Sequence, residues 1–269
     1  MVELAERRAG DHEMLRSGAR FVTAQRAFIA ELLCPADLDS RDDATRAFLA
    51  LQAFEQYMVS GEDTLSWVCA LMEWETESAS LETCLLAKLD TIQIGGGHGS
   101  YTDEKLEQLF ERMTPDDLRS ALKVERDFTP PVGVTMHEAI FGYWLSGLRR
   151  IVRGRRANGR AYVRAYNKAK HGLVGIYGPD VDGHPTVALL TATTGDYTSE
   201  PVQMNRAQVR ALPRDIRMRV NWTIQMQAVL QSILAFMLGV HFDDWEDTPE
   251  WARRAWQSEG WLTSGAELV

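Results

Sequence analysis

The residues best suited to chemistry lie in one segment, between Asn158 and Gly172. The pattern predicts a helix over 158–171, with five polar side chains at positions i, i+4, i+7, i+8 and i+11, on one face. They are Arg160, Arg164, Asn167, Lys168 and His171. A histidine near neutrality can give or take a proton, and an arginine can stabilise added charge on a phosphate. These parts can support metal-independent RNA cleavage, in which a 2′-hydroxyl attacks the adjacent phosphate.

Charge is distributed unevenly along the chain, which has a formal net charge of −9. Residues 1–138 carry 13 basic and 26 acidic side chains, whereas residues 139–219 carry 14 and 5, and residues 220–269 carry 2 and 7. No acidic residue occurs between Ala139 and Pro179. This basic island can attract an anionic ligand, and arginine suits phosphate because its guanidinium binds two oxygens at once.

Six side chains of the basic island are therefore candidates for contact with RNA or another phosphate. They are Arg149, Arg153, Arg156, Arg160, Lys168 and Lys170. The alternative is that the island neutralises the acidic first half, within one chain or across a dimer. The charge pattern leaves both interpretations open.

The spacing Arg164-x6-His171, with Asn167 between, resembles the HEPN superfamily, whose pattern is Arg, four to six residues, then His. The resemblance implies a helical bundle that dimerises, so that two protomers bring both motifs into one composite cleft. Many members are ribonucleases of toxin–antitoxin, CRISPR and antiphage systems. Arg164 and His171 would be the catalytic pair here, and Asn167 the intervening polar residue, which can orient His171 or donate to the phosphate.

Apolar periodicity predicts helices along most of the chain. They are expected over 12–33, 42–59, 63–77, 80–92, 103–113, 115–124, 136–152, 158–171 and 214–238. Pro35 and Gly61 are the expected stops of the first two helices. The Thr114-Pro115-Asp116-Asp117 sequence is a strong helix start.

A change to period-2 alternation predicts strands at 173–177 and 186–193 around a turn at 178–183, with a third strand near 197–203. Asn205 is expected to cap a short helical turn. The fold class is thus all-α: an antiparallel helical bundle with a small β-hairpin insertion at about 173–203, before the last long helix. We expect a single domain over 1–269, with one candidate boundary near 128–134 and an acidic, Trp-rich tail over 243–269.

Several classes of protein are disfavoured. The three cysteines contain no CxxC pair, and neither HExxH nor paired Glu-x-x-His motifs occur, so we expect no metal and no cofactor. The N-terminus lacks the apolar core of a signal peptide, and the longest apolar stretch, near Ile233–Val240, is too short to span a bilayer. A cytoplasmic protein without membrane contact is expected.

Three functions remain. The first, and the leading hypothesis, is a HEPN-like metal-independent endoribonuclease that acts as a homodimer in toxin or antiphage defence. The second is a non-catalytic helical module that binds nucleic acid or a protein partner through the basic strip at 149–170. The third is a helical enzyme acting on a small anionic substrate, which would need a pocket inside one protomer.

Overall fold

The computed structural model describes residues 2–74, 79–91, 103–122, 134–157, 176–192 and 204–237. These ranges contain seven α-helices and a three-stranded antiparallel sheet. The helices are α1 (Val2–Leu33), α2 (Asp43–Trp74), α3 (Leu81–Thr91), α4 (Asp103–Arg112), α5 (Pro115–Ala121), α6 (Val134–Ala157) and α7 (Pro213–Met237). The strands are β1 (Ile176–Pro179), β2 (Pro185–Ala192) and β3 (Met204–Arg210). The expected fold class, a helical bundle with a small β insertion before the last long helix, is confirmed.

The buried carboxylate of Asp11 fixes the direction of α1 against α2. It accepts a hydrogen bond from the indole of Trp74 at 3.0 Å and another from the backbone N–H of Leu81 at 3.0 Å. The start of α1 therefore lies beside the end of α2, and the two helices are antiparallel. The same carboxylate thus accepts from one of the backbone N–H groups in the first turn of α3, which have no hydrogen-bond partner within the helix.

The last helix, α7, runs parallel to α2 and antiparallel to α6. Near its start, Arg217 forms an ion pair with Asp39, which precedes α2. Further along, the Gln227 amide donates to the Ser60 hydroxyl at 3.1 Å, in the middle of α2. Helix α6 runs in the opposite direction to α7. The indole of Trp144, in the first half of α6, donates to the hydroxyl of Ser232, which lies late in α7.

The core fills the space between these long helices and the inner face of the sheet. Most of its members are aliphatic or aromatic side chains with no exposed surface, which supply the main burial energy of the fold. The largest are Trp144, Phe110, Phe141, Leu15, Ile29, Leu38, Met58, Leu65, Leu71 and Leu81. None of the helices in the described ranges combines the length and the apolar character that crossing a membrane requires.

One long helix stands where two were expected, because α2 continues through Gly61. The predicted stop at Gly61 is therefore wrong. A glycine inside a helix costs only about 1 kcal/mol relative to alanine. Burial of Leu65, Val68 and Cys69 in the following turns outweighs that cost, and the Thr64 hydroxyl adds a bond to the Ser60 carbonyl at 2.7 Å.

The third strand also differs from its prediction. β3 begins at Met204, and Asn205 pairs with Thr191 of β2 instead of capping a helical turn. The physical reason is the alternation in β3: Ala207 and Val209 are buried against the core, whereas Gln208 is only partly buried and Arg210 is exposed. The insertion thus reaches residue 210, and the predicted strand range 197–203 lies outside the described residues.

The β1–β2 turn is held by one carboxylate. Asp180 accepts backbone hydrogen bonds from Asp182 at 2.9 Å and His184 at 2.8 Å, and Gly183 adopts a φ of +80° that favours glycine. The bond from the His184 N–H is the largest of the effects that hold the pKa of Asp180 below its ordinary value. The local sequence therefore specifies this hairpin, as predicted.

The predicted start of the first helix at residue 12 is wrong, because α1 begins at Val2. Most other boundaries are close to the observed ones. The Thr114 start is confirmed as a capping box, in which Thr114 and Asp117 exchange side-chain and backbone hydrogen bonds of 3.1 and 2.8 Å. The helix predicted at 136–152 runs to Ala157. The predicted helix at 158–171 and the tail over 243–269 lie outside the described residues, as does nearly all of the candidate boundary at 128–134.

Helices α6 and α7 are in close contact at Gly147. A Cβ atom built on Gly147 would lie 2.7 Å from Cγ2 of Val229, well inside van der Waals contact. The missing side chain therefore sets the distance between these two helices.

We expect Gly147→Ala to lower the free energy of unfolding by about 1–2 kcal/mol, because overpacking outweighs the gain in helix propensity. Urea unfolding of the variant measures this. Gly142→Ala, in the same helix, is the control: its Cβ would meet only Pro115 at 4.0 Å, and stability should hold or rise. A Gly147→Ala/Val229→Ala double variant should lose less stability than the sum of the two single changes. Strict additivity would contradict the close contact.

Candidate functional site

A groove of about 1060 Å³ lies between α6 and α7, with one wall from α2. Its lining combines aromatic, basic and small side chains. They are Tyr57, Tyr143, Ser146, Gly147, Arg149, Arg150, Ile151, Arg153, Gly154, Trp222, Gln225, Met226 and Val229. These described residues come from three helices of a single copy of the chain.

Two aromatic rings form one side of the groove. The rings of Tyr57 and Trp222 lie 5.9 Å apart between centroids, tilted by 45°. Tyr57 is buried, whereas 42% of Trp222 is exposed. A Cβ on Gly154 would lie 2.6 Å from the Tyr57 hydroxyl oxygen, so the glycine makes room for this ring. An exposed indole supported from behind by a second ring can stack on a planar ligand.

Arg149, at the base of the groove, has a structural role. Its Nε donates to the Phe110 carbonyl at 2.9 Å, and its Nη2 donates to the carbonyls of Met113 at 2.8 Å and Glu111 at 3.3 Å. These oxygens belong to the end of α4 and its exit, where carbonyls lack helical partners. A guanidinium at a helix C-terminus also interacts favourably with the helix dipole. Arg149 thus fastens α4 to α6.

Arg153 and Arg150 lie at the exposed rim. Arg153 forms an ion pair with Glu111 at 2.6 Å, and its side chain is 62% exposed. Such an exposed pair contributes only about 0–1 kcal/mol, so an anionic ligand can replace the carboxylate. Arg150 is also exposed, and its closest described hydrogen bond is a long one of 3.4 Å to Gln225 Oε1. Both guanidinium groups are therefore accessible to a ligand.

The structure describes only some of the predicted site residues. Arg149 and Arg153 lie at the groove, and their contacts with α4 agree with the alternative in which the basic island pairs with the first half of the chain. Arg156 lies in the last turn of α6. The remaining predicted residues lie outside the described residues: Arg160, Arg164, Asn167, Lys168, Lys170 and His171.

Sequence reasoning did not select Arg150, Trp222 or Tyr57 as site residues. A signal for Arg150 existed, because Tyr143, Ser146 and Arg150 recur at helical spacing in α6. No sequence signal could pair Tyr57 with Trp222, since they are far apart in the chain and meet only through the packing of α2 on α7.

Metal and thiol chemistry find little support in the described ranges. No three His, Cys, Asp or Glu side chains there lie close enough together to hold a metal ion. Burial raises the pKa of the Cys69 thiol to about 12, so this thiol stays protonated and unreactive at neutral pH. Cys84 is also a buried free cysteine.

Comparison with protein-family models, curated proteins and solved structures gave no match. The HEPN resemblance of the Arg164–His171 segment therefore stays a prediction.

We expect Arg149→Met to lower the free energy of unfolding by about 2 kcal/mol, because charge-assisted bonds to three carbonyls are lost while the stem still packs. Arg150→Met is the matched control one residue away, and it should change stability by less than about 0.5 kcal/mol. Urea unfolding measures both. Equal effects of the two substitutions would contradict the structural role of Arg149.

Proposed function

We propose that the protein binds single-stranded RNA in the α6–α7 groove and cleaves it without a metal ion, with Arg164, Asn167 and His171 as the reacting machinery. The observation that carries the binding part is the combination of an exposed aromatic platform with two accessible arginines, Arg150 and Arg153, on one groove. Stacked rings hold bases of any sequence, and arginines hold the backbone phosphates. The groove's volume is at the upper end of ligand pockets, which supports a ligand larger than one base.

The proposed cleavage machinery follows the groove directly in the chain. Arg164 is the seventh residue after Ala157, the last residue of α6. Seven residues span at most about 25 Å, so the chain allows Arg164 to reach the end of α6 that borders the groove, as the proposal requires.

In the proposed reaction, His171 takes the proton of a ribose 2′-hydroxyl, and the resulting oxygen attacks the adjacent phosphorus. Arg164 stabilises the added negative charge. The bond from phosphorus to the 5′-oxygen breaks, and the leaving oxygen takes a proton from a second acid. The products are a 2′,3′-cyclic phosphate and a 5′-hydroxyl. In the proposed homodimer, the partner copy of the same motif supplies that acid.

The proposed homodimer has one supporting observation in the fold. Phe28 and Leu32 lie one turn apart on α1, and both are more than half exposed. An apolar pair of this kind on a helix surface suits contact with another helix. A toxin or antiphage role in the cytoplasm rests on the family resemblance alone.

The second candidate is an enzyme or binding protein for a small anionic substrate. The observation that favours it is that the described residues of the groove come from a single copy of the chain, as this candidate requires. The two candidates differ in the length of ligand that binds best. Binding of RNA gains affinity from each further phosphate contact, whereas binding of a small anion does not.

For RNA binding, we expect Trp222→Ala to weaken the affinity for a labelled single-stranded 12-mer about ten-fold or more, since one stacked base contributes about 1–3 kcal/mol. Arg150→Ala should weaken binding and reduce its salt dependence. Fluorescence polarisation in EDTA measures both. Arg214→Ala is the control, an exposed arginine of α7 that does not line the groove. Equal losses in all three variants would contradict groove binding, and mononucleotides binding as tightly as the 12-mer would favour the second candidate.

For cleavage, we expect the wild-type protein to cut total RNA and tRNA in EDTA and to leave cyclic phosphate ends. His171→Ala and Arg164→Ala should each reduce the cleavage rate at least 100-fold, because general acid–base catalysis contributes about 10²–10⁴-fold. Both variants should keep their affinity for the 12-mer within about two- to three-fold. Binding without any cleavage by the wild type would replace this proposal with the non-catalytic binding module.

A further inference from the structure

A second cavity, separate from the groove, lies between α1, α2 and α7 and has a volume of about 390 Å³. Among the described residues that line it, Asp63 of α2 carries the one charged side chain. Within the described part of the chain, no hydrogen-bond donor or cation contacts this carboxylate, and its neighbour Glu62 adds a second negative charge. The carboxylate is partly exposed in the cavity, and because partial removal from water without a partner costs free energy, it favours a ligand that supplies a donor.

The polar side chains beside Asp63 are already engaged with one another. The Gln227 amide N–H donates to the Ser60 hydroxyl at 3.1 Å, and the Thr64 hydroxyl bonds the Ser60 carbonyl at 2.7 Å. Gln227 Oε1 is itself fully buried, so a ligand in the cavity does not reach it. Ser60 and Asp63 are one helical turn apart on α2, and among the described residues on this side of the cavity the Asp63 carboxylate is the acceptor left for a ligand.

The rest of the cavity is largely apolar and includes aromatic rings. Trp67 lies against Gly18, where a Cβ would come within 2.9 Å of the indole, and Phe21 lines the cavity with 66% of its surface exposed. The face of an aromatic ring attracts a cation. A carboxylate beside aromatic walls forms a binding environment for a positively charged donor with an apolar body.

We propose that this cavity binds a small organic amine in its ammonium form, with its N–H groups donating to the Asp63 carboxylate and its hydrocarbon part packing against Trp67 and Phe21. One carboxylate is too few for a divalent cation, which needs several oxygen ligands. An anion is excluded by the charge of Asp63. This site does not depend on RNA binding, because none of these three side chains lines the groove.

The proposed site has a definite pH dependence. Burial, together with the charge of Glu62, raises the pKa of Asp63 to about 6. The cavity side chains from the other two helices, such as Ser17 and Gln25 of α1 and Gln227 of α7, are uncharged. Below about pH 6 the carboxyl is neutral and no longer attracts an ammonium ion. At pH 5 only about one molecule in ten carries the charge, so affinity should fall about ten-fold from its value at pH 7.5.

The test uses the full chain and benzylammonium chloride in isothermal titration calorimetry. We expect saturable 1:1 binding at pH 7.5, about ten-fold weaker binding at pH 5.0, and at least ten-fold weaker binding of the neutral benzyl alcohol. Asp63→Asn should weaken benzylammonium binding at least ten-fold. Glu62→Gln is the matched control, a neighbouring carboxylate that does not line the cavity, and should change affinity by less than about two-fold.

Folding of the Asn variant is checked by its melting temperature. An acid whose pKa is raised on folding destabilises the protein as pH rises from about 4 through 6, so Asp63→Asn should melt at a higher temperature than wild type at pH 7.5. Benzylammonium should then raise the melting temperature of wild type but not that of the variant. No saturable binding by wild type at pH 7.5, equal binding of benzyl alcohol, or unchanged binding by Asp63→Asn would each overturn the proposal.

Discussion

The structure depends on how closely α7 can pack against three neighbouring helices at once. A helix in that position is buried on several faces, and α7 accordingly buries Val220, Leu230, Ile233 and Leu234. It also buries polar side chains, each of which must find a hydrogen-bond partner inside the bundle. Ser232 accepts from Trp144 of α6, and Gln227 donates to Ser60 of α2. These bonds set the rotation of α7, while Gly147 sets its distance from α6.

Both sites follow from that arrangement. The groove lies between α6 and α7, and its lining includes Arg150 of α6 and Trp222 of α7. Where α7 faces α1 and α2, Gln227 binds Ser60, and the Asp63 carboxylate is left for a ligand among the described residues of the cavity. The chemistry of both sites thus depends on which side chains these helices place in the spaces between them.

Most helices could be predicted from the sequence because a core-facing stripe repeats at helical spacing, as in α6 with Phe141, Trp144, Leu145 and Leu148. The errors came where tertiary contacts outweigh local signals. From local sequence alone, Gly61 predicts a helix stop and Asn205 predicts a helix cap. The burial of the turns after Gly61 and the pairing of β3 with β2 decide otherwise.

The candidate site was harder to predict. Charge spacing indicated a basic strip, but only the packing of α4 on α6 separates the structural Arg149 from the accessible Arg150.

The basic strip can serve both stability and binding, because its members differ in what they would lose to a ligand. Arg149 donates to three carbonyls at the end of α4 and its exit, so releasing it would cost three charge-assisted hydrogen bonds. Arg153 pairs with a solvent-accessible carboxylate, and an incoming phosphate would replace one exposed ion pair with another. Neutralisation of the acidic first half and recognition of an anion are therefore compatible within a single turn of α6. Because Arg149 would lose more free energy on release than Arg153 or Arg150, we infer that Arg149 stabilises the fold and that Arg150 and Arg153 are available to a ligand.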